Sequence, residues 1–139
     1  MEDFTTFICY ELKMTMKKVE KTFTQKLKEY GVNFAQSLIL FCLLEKDGIT
    51  LSEIGCRAQI ENSSLTTMVD RLEKDGLVER RSDKQDRRIS RLFLTKSGKQ
   101  VGKKILDEVL EFNQLLTENL GETKQSLSKA LSIISASLD

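Results

Sequence analysis

A chain of 139 residues fits one domain with a modest core, and 40% hydrophobic with 31% charged residues excludes a disordered polymer. No apolar run approaches the roughly 20 residues needed to cross a bilayer, and the acidic start Met1-Glu2-Asp3-Phe4 lacks the basic opening of a signal peptide, so a cytoplasmic protein with no membrane partner is expected. The net charge is only +1, but residues 80–99 hold eight basic and two acidic side chains, a local +6 of the kind that attracts phosphate.

From Phe4 to Leu27 apolar residues fall at 4, 8, 12, 16, 19, 23 and 27, which traces one face of a helix that Tyr30-Gly31 ends. Asn33 is placed to cap a second helix with Leu38, Leu40, Phe41, Leu43 and Leu44 on its core side, stopped by Asp47-Gly48. Ile49-Thr50-Leu51 is long enough only for a small strand. Ser52 with Glu53 is expected to begin a short helix through about Gln59. Asn62 is then expected to cap another, which buries Leu65, Met68, Val69 and Leu72 and ends at Asp75-Gly76. Two short helices around a tight turn make a helix-turn-helix pattern. Leu77–Arg81 and Ile89–Leu94 alternate as strands, and the polar stretch 82–88 joins them as a long-tipped hairpin, a wing. Thr95 caps a long helix over about 96–119, Gly121 breaks it, and a last helix over roughly 122–138 carries Leu127, Ala130, Leu131, Ile134 and Leu138 on one face.

The fold class is therefore mainly α with a small β-wing: a winged helix-turn-helix over 33–95, flanked by helices at 1–30 and 96–139. These outer helices carry apolar stripes that so small a module cannot cover. An intertwined two-fold homodimer, in which terminal helices of both chains share one core, is the economical solution.

Absence narrows the chemistry further. With no histidine, His-dependent triads, bases and metal ligands are removed together. Cys9, Cys42 and Cys56 are an odd, widely spaced set without a CxxC pair, which argues against a disulfide framework and a zinc site. No metal and no cofactor are expected. With no glycine-rich phosphate loop and no paired carboxylates in a pocket pattern, an enzyme is the weakest of the readings.

The ordered segments Leu72-Glu73-Lys74-Asp75-Gly76-Leu77-Val78-Glu79-Arg80, Asp86-Arg87-Arg88 and Leu94-Thr95-Lys96-Ser97-Gly98 resemble the signature of the MarR family of transcriptional regulators. Helix order and wing position extend the resemblance over nearly the whole chain, 1–139. It implies a homodimer on pseudo-palindromic double-stranded DNA, with recognition helices in successive major grooves, wings in adjacent minor grooves, and half-sites about one helical turn apart. It also implies a small aromatic or anionic effector, held in a crevice between the dimerisation helices and the winged module. Met16, Phe23, Phe34 and Phe41 are candidate walls there, although such residues more often serve as core.

On the recognition helix the apolar face leaves Ser63, Ser64, Thr66, Thr67 and Arg71 on the other side. Short hydroxyls approach base edges or phosphates closely, and threonine methyls suit a thymine methyl. Ser63 and Thr66 are as well explained by capping; Ser64, Thr67 and Arg71 are read as DNA contacts. In the wing, Asp86 and Arg88 match the family's Asp-x-Arg. Arg88 suits a narrow, A·T-rich minor groove, while Asp86 is expected to hold the wing turn or orient an arginine. Arg81, Lys84 and Arg87 are supporting phosphate candidates. Cys9 lies near the sensing cysteine of the family's organic-hydroperoxide branch. Yet Phe23 and Phe34 stand where that branch has tyrosines, so a buried, inert thiol is the preferred reading. Cys42 and Cys56 are expected to be core fillers. The leading function is a ligand-released repressor; the alternatives are a protein-docking winged module and a regulator that senses redox through Cys9.

Overall fold

The computed structural model describes residues 2–139. A 3-10 turn at Phe4–Thr6 precedes α1 (Ile8–Leu27), α2 (Phe34–Glu45), β1 (Ile49–Thr50), α3 (Leu51–Ala58), α4 (Asn62–Lys74), β2 (Val78–Ser82), β3 (Ser90–Leu94), α5 (Lys96–Leu120) and α6 (Thr123–Ser137). The chain divides into two compact parts, one ending at Leu106 and the other spanning Asp107–Asp139.

In the first part, α1 tightens into a 3-10 turn at Lys28–Tyr30, and Gly31 stops it in the left-handed region (φ +69°), where a side chain would be strained. Asn33 caps α2 reciprocally: its Oδ1 accepts from Gln36 N at 2.8 Å, and Gln36 Oε1 accepts from Asn33 N at 3.0 Å. The expected α2 face is slightly rotated. Ile39, Leu40, Cys42 and Leu43 are buried, whereas Leu38, Phe41 and Leu44 are half-buried. Ile39, Leu40, Ile54, Val69, Leu72, Leu92 and Ile105 are all fully excluded from solvent, so strand, helix-turn-helix and α5 residues share one core.

Two caps differ from expectation. Thr50, not Ser52, begins α3: its Oγ1 accepts from Glu53 N at 3.1 Å, and Glu53 reaches back, the three-residue spacing of a capping box. Glu61, not Asn62, precedes α4, and its side chain makes no cap; Asn62 is already helical. Between these helices Gln59 takes left-handed backbone (φ 56°), with its Nε2 donating to Cys56 O at 2.9 Å. α3 and α4 otherwise lie where the pattern put them, with Leu65, Val69 and Leu72 buried and Met68 half-buried.

The three strands form an antiparallel sheet in the order β1-β3-β2. Val78 pairs with Leu94, Arg80 with Leu92 and Ser82 with Ser90, so the hairpin projects from 82 to 90. Its base is locked to the start of α5. Thr95 N donates to Leu77 O at 3.1 Å, Thr95 Oγ1 donates to Gly76 O at 2.7 Å, and the same oxygen accepts from Gly98 N at 2.9 Å. Gly98 faces the Leu77 carbonyl so closely that an added Cβ would lie 2.9 Å from its carbon and nearer still to its oxygen. The Leu-Thr-Lys-Ser-Gly segment is thus a joint between the turn after α4 and the long helix.

The second part comprises the rest of α5 and all of α6, separated by Gly121. Phe112 is buried, while Leu110, Leu115, Leu116, Leu127, Leu131 and Ile133 are exposed. α1 is similar: Phe23 and Leu27 are buried, but Phe4, Ile8, Leu12 and Met16 of the same stripe are exposed in the single chain. No helix is long and apolar enough to cross a membrane among the described residues.

Candidate nucleic-acid interface

With Leu65, Val69 and Leu72 turned into the core, α4 presents Ser63, Ser64, Thr66, Thr67 and Arg71 to solvent, all five exposed. The two threonines are conformationally fixed. Thr66 Oγ1 donates to Asn62 O at 3.0 Å, and Thr67 Oγ1 donates to Ser63 O at 3.3 Å. Each hydroxyl therefore turns acceptor lone pairs and a methyl group outward, which suits an exocyclic amino group or a thymine methyl. Arg71 Nε donates to Asp75 Oδ2 at 3.1 Å, which steadies the guanidinium one turn from the helix end.

The acids around the wing are all engaged by arginines. Asp86 accepts at Oδ1 from Arg88 N (3.0 Å) and Nε (3.1 Å), and at Oδ2 from Arg88 Nη2 (3.2 Å). One carboxylate thus shapes the turn and aims the guanidinium, leaving the Arg88 side chain 90% exposed at the tip. These bonds, led by the one from the Arg88 side chain, hold the Asp86 carboxyl below the ordinary aspartate value. Asp83 does parallel work at the other end of the loop. It accepts from Arg91 Nε at 2.6 Å and from the amides of Gln85 and Asp86 at 3.0 Å each, and its pKa is lowered, chiefly by Arg91. Arg91 Nη1 also donates to Gly48 O at 3.0 Å, which ties the wing loop to the turn before β1.

Arg81 pairs with Glu79 and lies over the Phe93 ring at 4.3 Å. Lys84 and Arg87 are exposed and have no ion-pair partner among the described residues, so they are the uncommitted cations of the tip. At the base of the wing, Arg80 Nη2 donates to Asp70 Oδ1 at 2.5 Å, and Arg80 N donates to Glu73 Oε2 at 3.3 Å. Arg80 therefore bolts β2 to α4, with its own Nε buried and unpartnered. Asp83, Arg91 and Arg80 were not among the site residues expected from sequence. Partners 43 and 10 positions away give no local pattern; the Asp83 turn alone, Asp83 bonding the amides two and three residues on, carried a readable signal.

Cysteine placement departs from expectation. Cys9, at the start of α1, is exposed, and Cys56 is exposed because α3 buries the Ile54 face instead. Only Cys42 is the core filler anticipated, and burial raises its thiol pKa, with the Glu45 charge adding to the effect. Phe23 and Phe34 stack on each other, with ring centroids 4.6 Å apart, and so fill the space between α1 and α2 themselves. Among the described residues no cluster of three or more potential metal ligands exists.

Two short helices, a three-stranded sheet with a projecting arginine-bearing hairpin, and a long helix locked to its base define a winged helix-turn-helix. Residues 32–90 match the model of the MarR family. The chain is 28% identical over 128 residues to the HTH-type transcriptional regulator SarZ of Staphylococcus haemolyticus, covering 90% of this chain and 87% of that one. It is 25% identical to the organic hydroperoxide resistance transcriptional regulator of Bacillus subtilis, over 86% of this chain and 84% of the relative. The crystal structure of the S. aureus MepR–DNA complex superposes with a TM-score of 0.86 at 26% identity, covering 94% of this chain and 97% of that one. Over residues 32–90 the chain is similar to the MarR family, and along most of its length it resembles winged-helix transcriptional regulators.

Proposed function

We propose that the chain is a sequence-specific, double-stranded DNA-binding transcriptional regulator that works as a homodimer in the cytoplasm, a repressor released by a small aromatic or anionic ligand. The observation that carries the reading is the pairing of two features. α4 exposes Ser64, Thr67 and Arg71 on a rigid helix, and a wing beside it points Arg88 outward while its own acids are neutralised internally. Hydroxyls and methyls reach base edges in the major groove; an aimed guanidinium suits the minor groove next to it. That MepR is seen in a complex with DNA supports carrying this arrangement over.

The exposed apolar residues Phe4 of the first turn and Ile8, Leu12 and Met16 of α1, and Leu115, Leu116, Leu127 and Leu131 of the second part, support a second copy as their cover. Two-fold symmetry then makes the operator pseudo-palindromic. The test is titration of a ~30-bp duplex from the gene's own upstream region at several salt concentrations. Nanomolar, site-selective binding with a steep salt slope is expected; weak binding indifferent to sequence would overturn the reading. A second reading, release of DNA by oxidation of Cys9, is favoured by the exposure of that thiol and by the similarity to a hydroperoxide resistance regulator.

A further inference from the structure

The exposed face of α4 is one wall of an open groove of about 1080 Å³ whose other wall is the end of α1 and the start of α2. On the α4 side lie Ser63, Thr67, Arg71 and Lys74; across from them stand Thr24 and Lys28. The groove's one carboxylate, Asp70, is held by Arg80. Lys28 and Lys74 are exposed and have no ion-pair partner among the described residues. With Asp70 held by Arg80 and Arg71 paired to Asp75, the balance of the groove is positive and rests on Lys28 and Lys74, which are exposed.

Helix dimensions say what such a groove meets. An α-helix with side chains is roughly 10–12 Å across, and the major groove of B-DNA is about 12 Å wide, so a helix that enters it has a sugar-phosphate strand against each flank. On one flank of α4 the wing is the neighbouring element. On the other flank the neighbour is the α1–α2 corner, and the cation there is Lys28. We propose that this groove seats a phosphodiester strand of the operator, with Lys28 as a backbone contact outside both the helix-turn-helix and the wing. The inference rests on the DNA-binding reading above and extends it: the interface includes the end of a helix otherwise assigned to dimerisation. Lys28 fits a positioning contact rather than a specifying one, since an ammonium on a flexible stem meets phosphate as a point charge and reads no base.

The test uses the full-length protein, as wild type, Lys28→Ala, Lys28→Arg and, as a control, Lys129→Ala on α6, each titrated with the same upstream duplex and with a scrambled duplex across a salt series. Each phosphate contact contributes about 0.9 to the slope of log K against log[salt], so losing one per protomer should flatten the slope by roughly 1.8 for the dimer. Affinity should fall several-fold on both duplexes alike, because the contact is to backbone. Lys28→Arg should restore the slope, and Lys129→Ala should leave it unchanged. Melting of Lys28→Ala should match wild type, because the side chain is exposed. An unchanged slope in Lys28→Ala, with wild type binding normally, overturns the assignment and leaves the groove to a small organic anion. Failure of the wild type to bind either duplex in a salt-dependent manner would instead remove the parent reading, and this one with it.

Discussion

Gly98→Ala should destabilise the protein sharply, although it replaces the poorest ordinary helix former by the best. Two contributions oppose each other. Alanine in a helix gains up to about 1 kcal/mol over glycine. Against this, the new methyl carbon would meet the Leu77 carbonyl group well inside the 3.0 Å that real Cβ atoms essentially never cross, and Leu94 Cδ2 at 3.2 Å. The obstacle is backbone, and it is fixed from both sides. Leu77 N donates to Leu72 O at 3.0 Å, Leu77 O accepts from Thr95 N at 3.1 Å, and Gly76 O accepts from Thr95 Oγ1 at 2.7 Å. Relief requires α5 to move off the hairpin base. Overpacking of this sort costs about 1–3 kcal/mol, and each hydrogen bond lost adds about 1 kcal/mol. The net expectation is a loss of about 2–3 kcal/mol, a fall in Tm of roughly 10 °C for a chain of this length.

Gly102→Ala is the matched control. It lies in the same helix, and its nearest neighbour, Leu44 Cδ1 at 3.3 Å, is the end of a flexible side chain. That variant should be neutral or more stable by up to about 1 kcal/mol. Thermal and urea melts at one fixed protomer concentration make the comparison, since a dimer's Tm depends on concentration. A Gly98→Ala protein as stable as Gly102→Ala would refute the idea that the Leu77 joint is tight.

The lowered pKa values of Asp83 and Asp86 give the wing a pH dependence with a definite sign. A carboxylate whose folded pKa is depressed contributes order that is complete above the ordinary value of 3.8 and is lost as pH falls through the lower folded value. Amide exchange and carboxyl chemical shifts in the 82–90 hairpin should therefore hold through pH 5 and collapse only below 3.8; loosening between pH 5 and 7 would count against the Arg91–Asp83 and Arg88–Asp86 bonds. For Cys9, the stacked Phe23 and Phe34 offer the sulfur no hydroxyl, so stoichiometric peroxide is expected to leave DNA affinity unchanged. A loss of binding in the wild type that Cys9→Ser abolishes would establish the redox reading in its place.

Element order was legible because each boundary carries a local signal. Asn33 with Gln36, Gly31, Gly76, Thr95 and Gly121 all act where their chemistry placed them. The start of α3 was misassigned although its signal was present: Thr50 and Glu53 have capping-box spacing, whereas Ser52 and Glu53 are merely adjacent. Burial was harder to read than structure. The stripe from Phe4 to Met16 is periodic, yet it is exposed in one chain, so periodicity identified a face without saying what covers it. Cys9, one residue past Ile8, is about 100° off that stripe and shares its exposure. The tethers that shape the interface were hidden for another reason. Arg91 to Gly48, Arg80 to Asp70 and Gly98 against Leu77 join residues distant in sequence, so the bracing roles of Arg80 and Arg91 could not be read from the pattern that singled out Arg88 and, behind it, Arg81, Lys84 and Arg87.

The central claim, that an aimed wing arginine and an exposed recognition helix read an operator, is tested most directly by comparing wild type with Arg88→Ala on the upstream duplex. The wild type should bind at nanomolar concentration and the variant about ten- to hundred-fold more weakly, with selectivity over scrambled sequence reduced, since a specific arginine contact is worth about 1–3 kcal/mol. Equal, weak and sequence-indifferent binding by both proteins would contradict it.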